Sequence, residues 1–402
     1  MERNIQLDEK KSSELFLFKG YKIIVISILI ILYFIFLNIF ITETKAEVNS
    51  LIISIQIFAF SAIYGIAALS LNLEIGNTGL TNFGQVAFIM MGSYTTGFFI
   101  LLGYNIVIAF IIGIAISGFF GYLVSIPTLN LRQDYLAIVT IAIGEALRTF
   151  FKTEGWFQYP QNGDYGGPLG LKVPNTFYYI FQGDIVIGNT VINGAVLSSF
   201  VFIIIVIVLL LIVYLILEFL YNSPWSRILK GIRENEVAVE SLGKNVVKYK
   251  TQSFVLGSAI AGFSGGLWAI YIINFSPDNF LPIITFNLWI IVIIGGLSNN
   301  KGVLLGSFVF WTFYNLTRLY KVEIGGLVSS VANLLDPIKN FPFIPDIQKI
   351  ITMDPVFSQN IVFGIILILF LLYRPQGLLP EKPIKTIANE VAENIQLQKV
   401  QK

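Results

Sequence analysis

Long apolar runs dominate this chain, each close to the roughly twenty residues that one helical bilayer crossing requires, and short polar stretches separate them. They fall near residues 23–42, 51–73, 83–102, 105–126, 135–151, 191–219, 251–273, 280–297, 303–320 and 356–373. The pattern predicts an all-α polytopic membrane protein of about ten transmembrane helices. Pro282, Gly295 and Gly296 can either bound or break the run at 280–297, and the connection 74–82 is equally open. The first run follows Lys10, Lys11, Lys19 and Lys22 and lacks a small-residue cleavage site, so it reads as a retained signal anchor.

Charge supplies a check independent of hydropathy. With the start placed inside the cell and sides alternating, the inner segments hold 18 of the 26 Lys and Arg residues, the outer ones 6, and Arg148 and Arg318 fall within runs. The positive-inside rule therefore places both termini in the cytoplasm. The expected layout is an inner tail at 1–22, a membrane region at 23–373 and an inner tail at 374–402. A cytoplasmic loop at 220–250 and outer loops at 152–190 and 321–355 interrupt it.

Composition agrees, at 55% hydrophobic and 12% charged, against about 25% charged in soluble domains. The chain has no Cys and no His, which removes thiolate nucleophiles, histidine bases and the commonest metal ligands, so neither catalysis nor a metal site is expected. A net charge of +2 gives no footprint for nucleic acid. No GxxxxGK[ST] motif occurs, so any ATP used is hydrolysed by another chain.

The stretch GIRENEVAVESLGKNVVKYK at 231–250 is unusually polar for its position. Leu229, Ile232, Val239 and Leu242 fall near helical spacing, with Arg233, Glu234, Asn235, Glu236 and Glu240 on the other side. That predicts a short helix stopped by Gly243 as a left-handed C-cap. One reading is a solvated loop whose cations orient the protein; the other is a rigid knob presented to a partner.

Polar residues beside the runs have two readings each. Asn72, Glu74, Gly76, Asn77, Thr78, Gly79 and Asn82 form a cluster poor in helix propensity. It is either a hairpin or a broken helix, and in the second case Asn72, Asn77, Thr78, Asn82 and Gln85 are candidates for lining a translocation route. Glu145 and Arg148, three apart on one face, are a candidate structural ion pair or a gate.

EVAVESLG (236–243) resembles the EAA-type cytoplasmic loop of ABC importer permeases, in the form found in the Liv-type branched-chain amino acid permeases. In order along the chain, ALSLNLEIGNTGLTNFGQVAFIMMGSY (68–94), IPTLNLRQDYLAIVTIAIGEALR (126–148), IIVIIGGLSNNKGVLLGS (290–307) and RPQGLLP (374–380) are similar to segments of the same family. Val239, Asn82, Phe83 and Gln85 depart from its usual residues, and the outer loop keeps an NGxxGGxxG pattern at Asn162, Gly163, Gly166, Gly167 and Gly170.

The resemblance implies a LivM-type permease of the cell membrane with ABC importer architecture and a cytoplasmic coupling helix. Arg233, Glu234, Glu236, Ala238 and Gly243 would couple it to ATPases. Implied partners are a second, LivH-like permease, two cytosolic ATPase subunits carrying ATP and Mg, and an extracellular substrate-binding protein; no cofactor is implied on this chain. The implied cargo is Leu, Ile and Val or other aliphatic amino acids, and runs poor in unpaired charge suit a net-neutral zwitterion. Urea, short amides or sugars remain open as cargo, as does an ion-coupled secondary transporter as the mechanism.

Overall fold

The computed structural model describes residues 50–129, 131, 133–153, 167–174, 185–187, 190–192, 194–319, 364–365, 368, 370, 372–374 and 376–381. The chain divides into a unit at Met1–Gln56, described only from residue 50, and a second at Ile57–Lys402, which contains the site. The expected first span at 23–42 lies outside the described residues, as does most of 356–373.

Helix α1 (Ser50–Asn72) is followed by a π turn at Leu73–Asn77, and the chain then runs irregularly to α2 (Gln85–Leu101). Next come α3 (Ile106–Thr128), α4 (Gln133–Thr153) and α5 (Gly194–Tyr221). Two short helices, α6 (Pro224–Glu234) and α7 (Glu236–Ser241), precede the long α8 (Val246–Ile272). Helices α9 (Ile283–Gly295) and α10 (Asn300–Leu319) complete the described bundle.

Among the described residues, five helical stretches are long and apolar enough to cross a membrane: Gln56–Asn77, Ile106–Thr128, Leu197–Tyr221, Val246–Ile272 and Pro277–Gly295. Gln85–Leu101 is apolar but shorter. Helices also form at the expected positions of α4 and α10, with more polar sequences.

Helix α8 runs between α2 and α3, and small residues permit that closeness. A Cβ at Gly92 would lie 2.0 Å from the Gly262 carbonyl oxygen, and one at Gly265 would lie 2.0 Å from the Ile89 carbonyl oxygen. At the contact Ser93 Oγ donates to the Gly265 carbonyl at 2.8 Å. Helices α9 and α10 meet similarly at Gly295, Gly302 and Gly306. By contrast, α5 exposes Phe200, Ile204, Val208, Leu211, Leu215, Ile216 and Phe219, an outer surface suited to hydrocarbon.

Two short ribbons lie between helices. β1 (Leu171–Lys172) pairs antiparallel with β4 (Asn274–Phe275), and β2 (Ile185–Ile187) with β3 (Thr190–Ile192). Pro282 and Gly296 bound α9 and do not break it: Pro282 is its N-cap, and Gly296, at φ 113°, ends it.

Candidate functional site

The end of α1 begins the site. The Gly76 and Asn77 backbone tolerates a widened π turn, and Gly76 is required because a Cβ there would lie 2.5 Å from Asn72 Oδ1 and 2.7 Å from the Ser298 nitrogen. Gly79, at φ 75°, turns the chain out of the helix. The segment connects two helices, as a hairpin would, but it is buried in protein: Asn72, Glu74, Asn77, Thr78, Asn82 and Gln85 are all inaccessible. Irregular buried backbone demands polar partners; several are local, as where the Leu80 nitrogen donates to the Glu74 carbonyl at 2.9 Å, while some buried side chains reach distant elements.

Asn72 Nδ2 donates to Tyr221 Oη at 2.9 Å and Asn300 Oδ1 at 3.2 Å, while its Oδ1 accepts from the Ser298 nitrogen at 2.9 Å. Asn77 Nδ2 donates to Ser226 Oγ at 3.3 Å. Thr78 Oγ1 and Ser253 Oγ are 2.7 Å apart. Asn82 Nδ2 is shared between Glu74 Oε2 at 2.8 Å and Gln85 Oε1 at 2.6 Å, and Gln85 Nε2 donates to Ser70 Oγ at 2.8 Å. The five residues expected along a route therefore lie close together at the α1–α2 connection, in three hydrogen-bonded groups: Asn72 and Asn77 joined through Ser298, Thr78 with Ser253, and Asn82 with Gln85 and Glu74. A nearby apolar cavity lined by Ile63, Tyr64, Ala67, Trp268, Phe280 and Ile284 includes none of them.

The cytoplasm-assigned element packs against this cluster. Ser223 caps α6 and Pro224 occupies its first turn. The expected single helix is in fact two, because Asn235 adopts an extended conformation, φ −157° and ψ 99°, and its Oδ1 accepts from the Ala238 nitrogen at 3.1 Å to start α7. Leu229 and Ile232 are buried with Val246, and Val239 packs at their edge. Leu242 leaves the expected stripe: it is 79% exposed, and Val237 is 71% exposed. Gly243 has φ 76° and ends the element as a left-handed glycine does.

The coupling candidates separate into two groups. Glu234, Glu236, Ala238 and Gly243 lie on the exposed side, Glu236 paired with Lys250 at 2.6 Å. Arg233 turns inward. Its Nη1 donates to the Gly76 carbonyl, and its Nη2 reaches Glu234 and Glu381 at 2.9 Å each. Glu381 also accepts from Lys230 Nζ at 2.8 Å and Ser298 Oγ at 2.9 Å. Burial pushes the Glu381 carboxyl up, but donors Lys230, Arg233 and Ser298 outweigh it and hold the group below the usual carboxylate range. Burial likewise disfavours the Arg233 cation, and Glu234 and Glu381 more than compensate, raising it above its ordinary value.

Glu145 and Arg148 are paired, with Arg148 Nε 3.0 Å from Glu145 Oε2. Asp278 joins them, 2.6 Å from Arg148 Nη1 and 2.9 Å from Lys152 Nζ. Tyr221, Ser226, Lys230, Ser253, Ser298, Asn300, Asp278 and Glu381 were not singled out from the sequence. Each meets its partner from a remote part of the chain; only asparagine, serine and glycine density around 298–302 hinted at such a junction.

A sequence profile of the family described as "Branched-chain amino acid transport system / permease component" matches residues 53–371. The chain is 28% identical over 369 residues to a probable branched-chain amino acid transport permease protein LivM of Methanocaldococcus jannaschii, covering 82% of this chain and 94% of that protein. It is 27% identical over 294 residues to the high-affinity branched-chain amino acid transport system permease protein LivM of Escherichia coli, covering 68% and 67%. A probable branched-chain amino acid transport permease protein LivH of M. jannaschii is 26% identical over 276 residues, 66% of this chain and 81% of that one. No solved structure matches the chain.

Proposed function

The chain belongs to the family of branched-chain amino acid transport permeases, and from that premise we propose that it is the LivM-like subunit of an ABC importer for Leu, Ile and Val. It works beside a LivH-like permease, two cytosolic ATPases that bind ATP and Mg, and an extracellular binding protein. The observation that carries this reading is the family match, which extends over most of the chain.

The geometry supports a division of labour. Glu234, Glu236, Ala238 and Gly243, with the exposed Val237 and Leu242, form the knob that seats in an ATPase cleft; an apolar tip rimmed by charge suits a protein interface. Asn72, Asn77, Thr78, Asn82 and Gln85 border the route and are uncharged, which suits a zwitterion whose net charge is zero. Both termini lie in the cytoplasm, following the excess of inner cations.

The test is reconstitution of the complete complex with its own binding protein, followed by uptake of labelled leucine, urea and ribose. ATP-dependent, saturable leucine uptake competed by isoleucine and valine is expected. Urea or ribose uptake without leucine uptake would refute the cargo and leave the permease class standing, whereas ion-driven uptake without ATPases would refute the class.

A further inference from the structure

We propose that Glu381 is a positioning residue for transport, holding Arg233 so that movement of α6–α7 is transmitted to the polar cluster at the end of α1. This rests on the reading of α6–α7 as the ATPase-facing element.

The link is continuous. Arg233 grips the cluster from below, its guanidinium donating to the Gly76 carbonyl of the π turn. That turn carries Asn77, and Asn72 ends α1 just before it; both are bonded to the Ser298–Asn300 segment. Glu381 closes the circuit by accepting from Arg233, Lys230 and Ser298, so one carboxylate spans α6 and the α9–α10 turn. Ser298 Oγ lies 2.9 Å from Glu381 and 3.1 Å from Asn77 Oδ1, and its single proton serves one of them at a time. A shift of Glu381 therefore changes the bonding of Asn77 inside the cluster.

Glu381 itself stands on rigid backbone. The Leu378 nitrogen donates to the Ile294 carbonyl at 2.8 Å and the Leu379 nitrogen to Gly295 at 3.0 Å, while Asn299 Nδ2 donates to the Leu379 and Pro380 carbonyls at 3.1 Å each. Gly377 and Gly296 allow the contact, since a Cβ on Gly377 would lie 2.5 Å from the Gly296 Cα. The carboxylate is thus fixed to α9 while its cationic partners ride on α6. An ion pair that bridges two separate elements is a contact through which coupling between two sites can be carried.

The experiment uses the complete reconstituted complex with Glu381→Gln, which keeps volume, and Ser298→Ala, which removes one donor from the same carboxylate. Co-purified ATPases, ATP hydrolysis and leucine uptake are measured together. For Glu381→Gln, ATPase association and basal hydrolysis should stay at the unaltered level, while uptake per ATP hydrolysed falls by about three- to thirtyfold; Ser298→Ala should fall less. Parallel loss of association and uptake would make Glu381 a structural or docking residue and overturn the proposal, as would unchanged uptake per ATP. If the unaltered complex shows no ATP-dependent uptake, the functional reading fails first, and that result is distinct from either variant outcome.

Discussion

Replacing Gly92 with alanine adds one methyl group to α2 where α8 crosses it. The new carbon would lie 2.0 Å from the Gly262 carbonyl oxygen and 2.5 Å from the Gly262 carbonyl carbon and Cα. Backbone atoms cannot rotate aside as a side chain can, so the helices must separate by roughly 1.5 Å to reach ordinary contact. Retreat of α8 is opposed from behind, where Ser117 on α3 already approaches Gly262 so closely that a Cβ there would lie 2.2 Å from its Oγ. Overpacking costs about 1–3 kcal/mol, and a backbone clash falls at the upper end. The better helix propensity of alanine returns about 1 kcal/mol, leaving a loss of about 2 kcal/mol. Gly144→Ala on α4 is the internal control, because its Cβ would meet nothing closer than 3.8 Å and should keep the propensity gain. Thermal unfolding of the two purified variants in one detergent should place Gly92→Ala below the parent by several degrees, at about 2 °C per kcal/mol, and Gly144→Ala at or above it. Equal melting of the two variants would refute the claim that α2–α8 packing depends on glycine at that crossing.

Two further outcomes follow from the cytoplasm-assigned end. Gly243 has φ 76° with no atom near its Cβ position, so Gly243→Asn should retain ATP-coupled uptake while Gly243→Val, strained by about 1–2 kcal/mol, loses most of it; equal uptake by both would show that the left-handed stop is unimportant. Glu381 is held below its usual range despite burial, so its stabilisation is present above the unfolded value of about 4.3 and is lost as pH falls through the lower folded value. The gap in unfolding temperature between parent and Glu381→Gln should stay constant from about pH 8 to about pH 5 and close only in stronger acid; a gap that closes near neutrality would mean the carboxylate is not held by these cations.

What could be read from the sequence was local. Run length located the helices that lie among the described residues, and Gly243 was visible as a stop because a glycine after the last periodic apolar position is a common way to end a helix, whereas Gly296 could be read either as a stop or as a break. The pair Glu145–Arg148 was visible from its spacing, but Asp278 was not, since it arrives from 130 residues away. RENEVAVE reads as uninterrupted helix, so the break at Asn235 became apparent only with its side chain seated on the Ala238 nitrogen. Leu242 matched the stripe of Leu229 and Ile232, but periodicity names a face without saying what covers it, and among the described residues nothing covers this one. The polar cluster was legible as a composition anomaly at 72–82; its partners Tyr221, Ser298 and Asn300 come from elements 149 to 228 residues further on, where no periodicity links them.

The long-range contacts also constrain the topology in a way that hydropathy does not. Gly76, Arg233 and Ser298 meet in one place around Glu381, so the chain must cross the bundle an even number of times from Gly76 to Arg233 and from Arg233 to Ser298. Between Gly76 and Arg233 lie α2, α3, α4 and α5, and between Arg233 and Ser298 lie α8 and α9, an even number in each interval. The other end gives the same parity: Lys152 meets Asp278, and β1 pairs with β4, with α5 and α8 between them. A span missed or invented in any of these intervals would carry one partner to the opposite end, some 40 Å away along a helix such as α8. The segments that meet around Glu381 are those that alternation of the apolar runs assigns to a single side. Two observations with different physical origins, the alternation of apolar runs on one hand and hydrogen-bond geometry on the other, therefore agree on which loops share an end of the bundle.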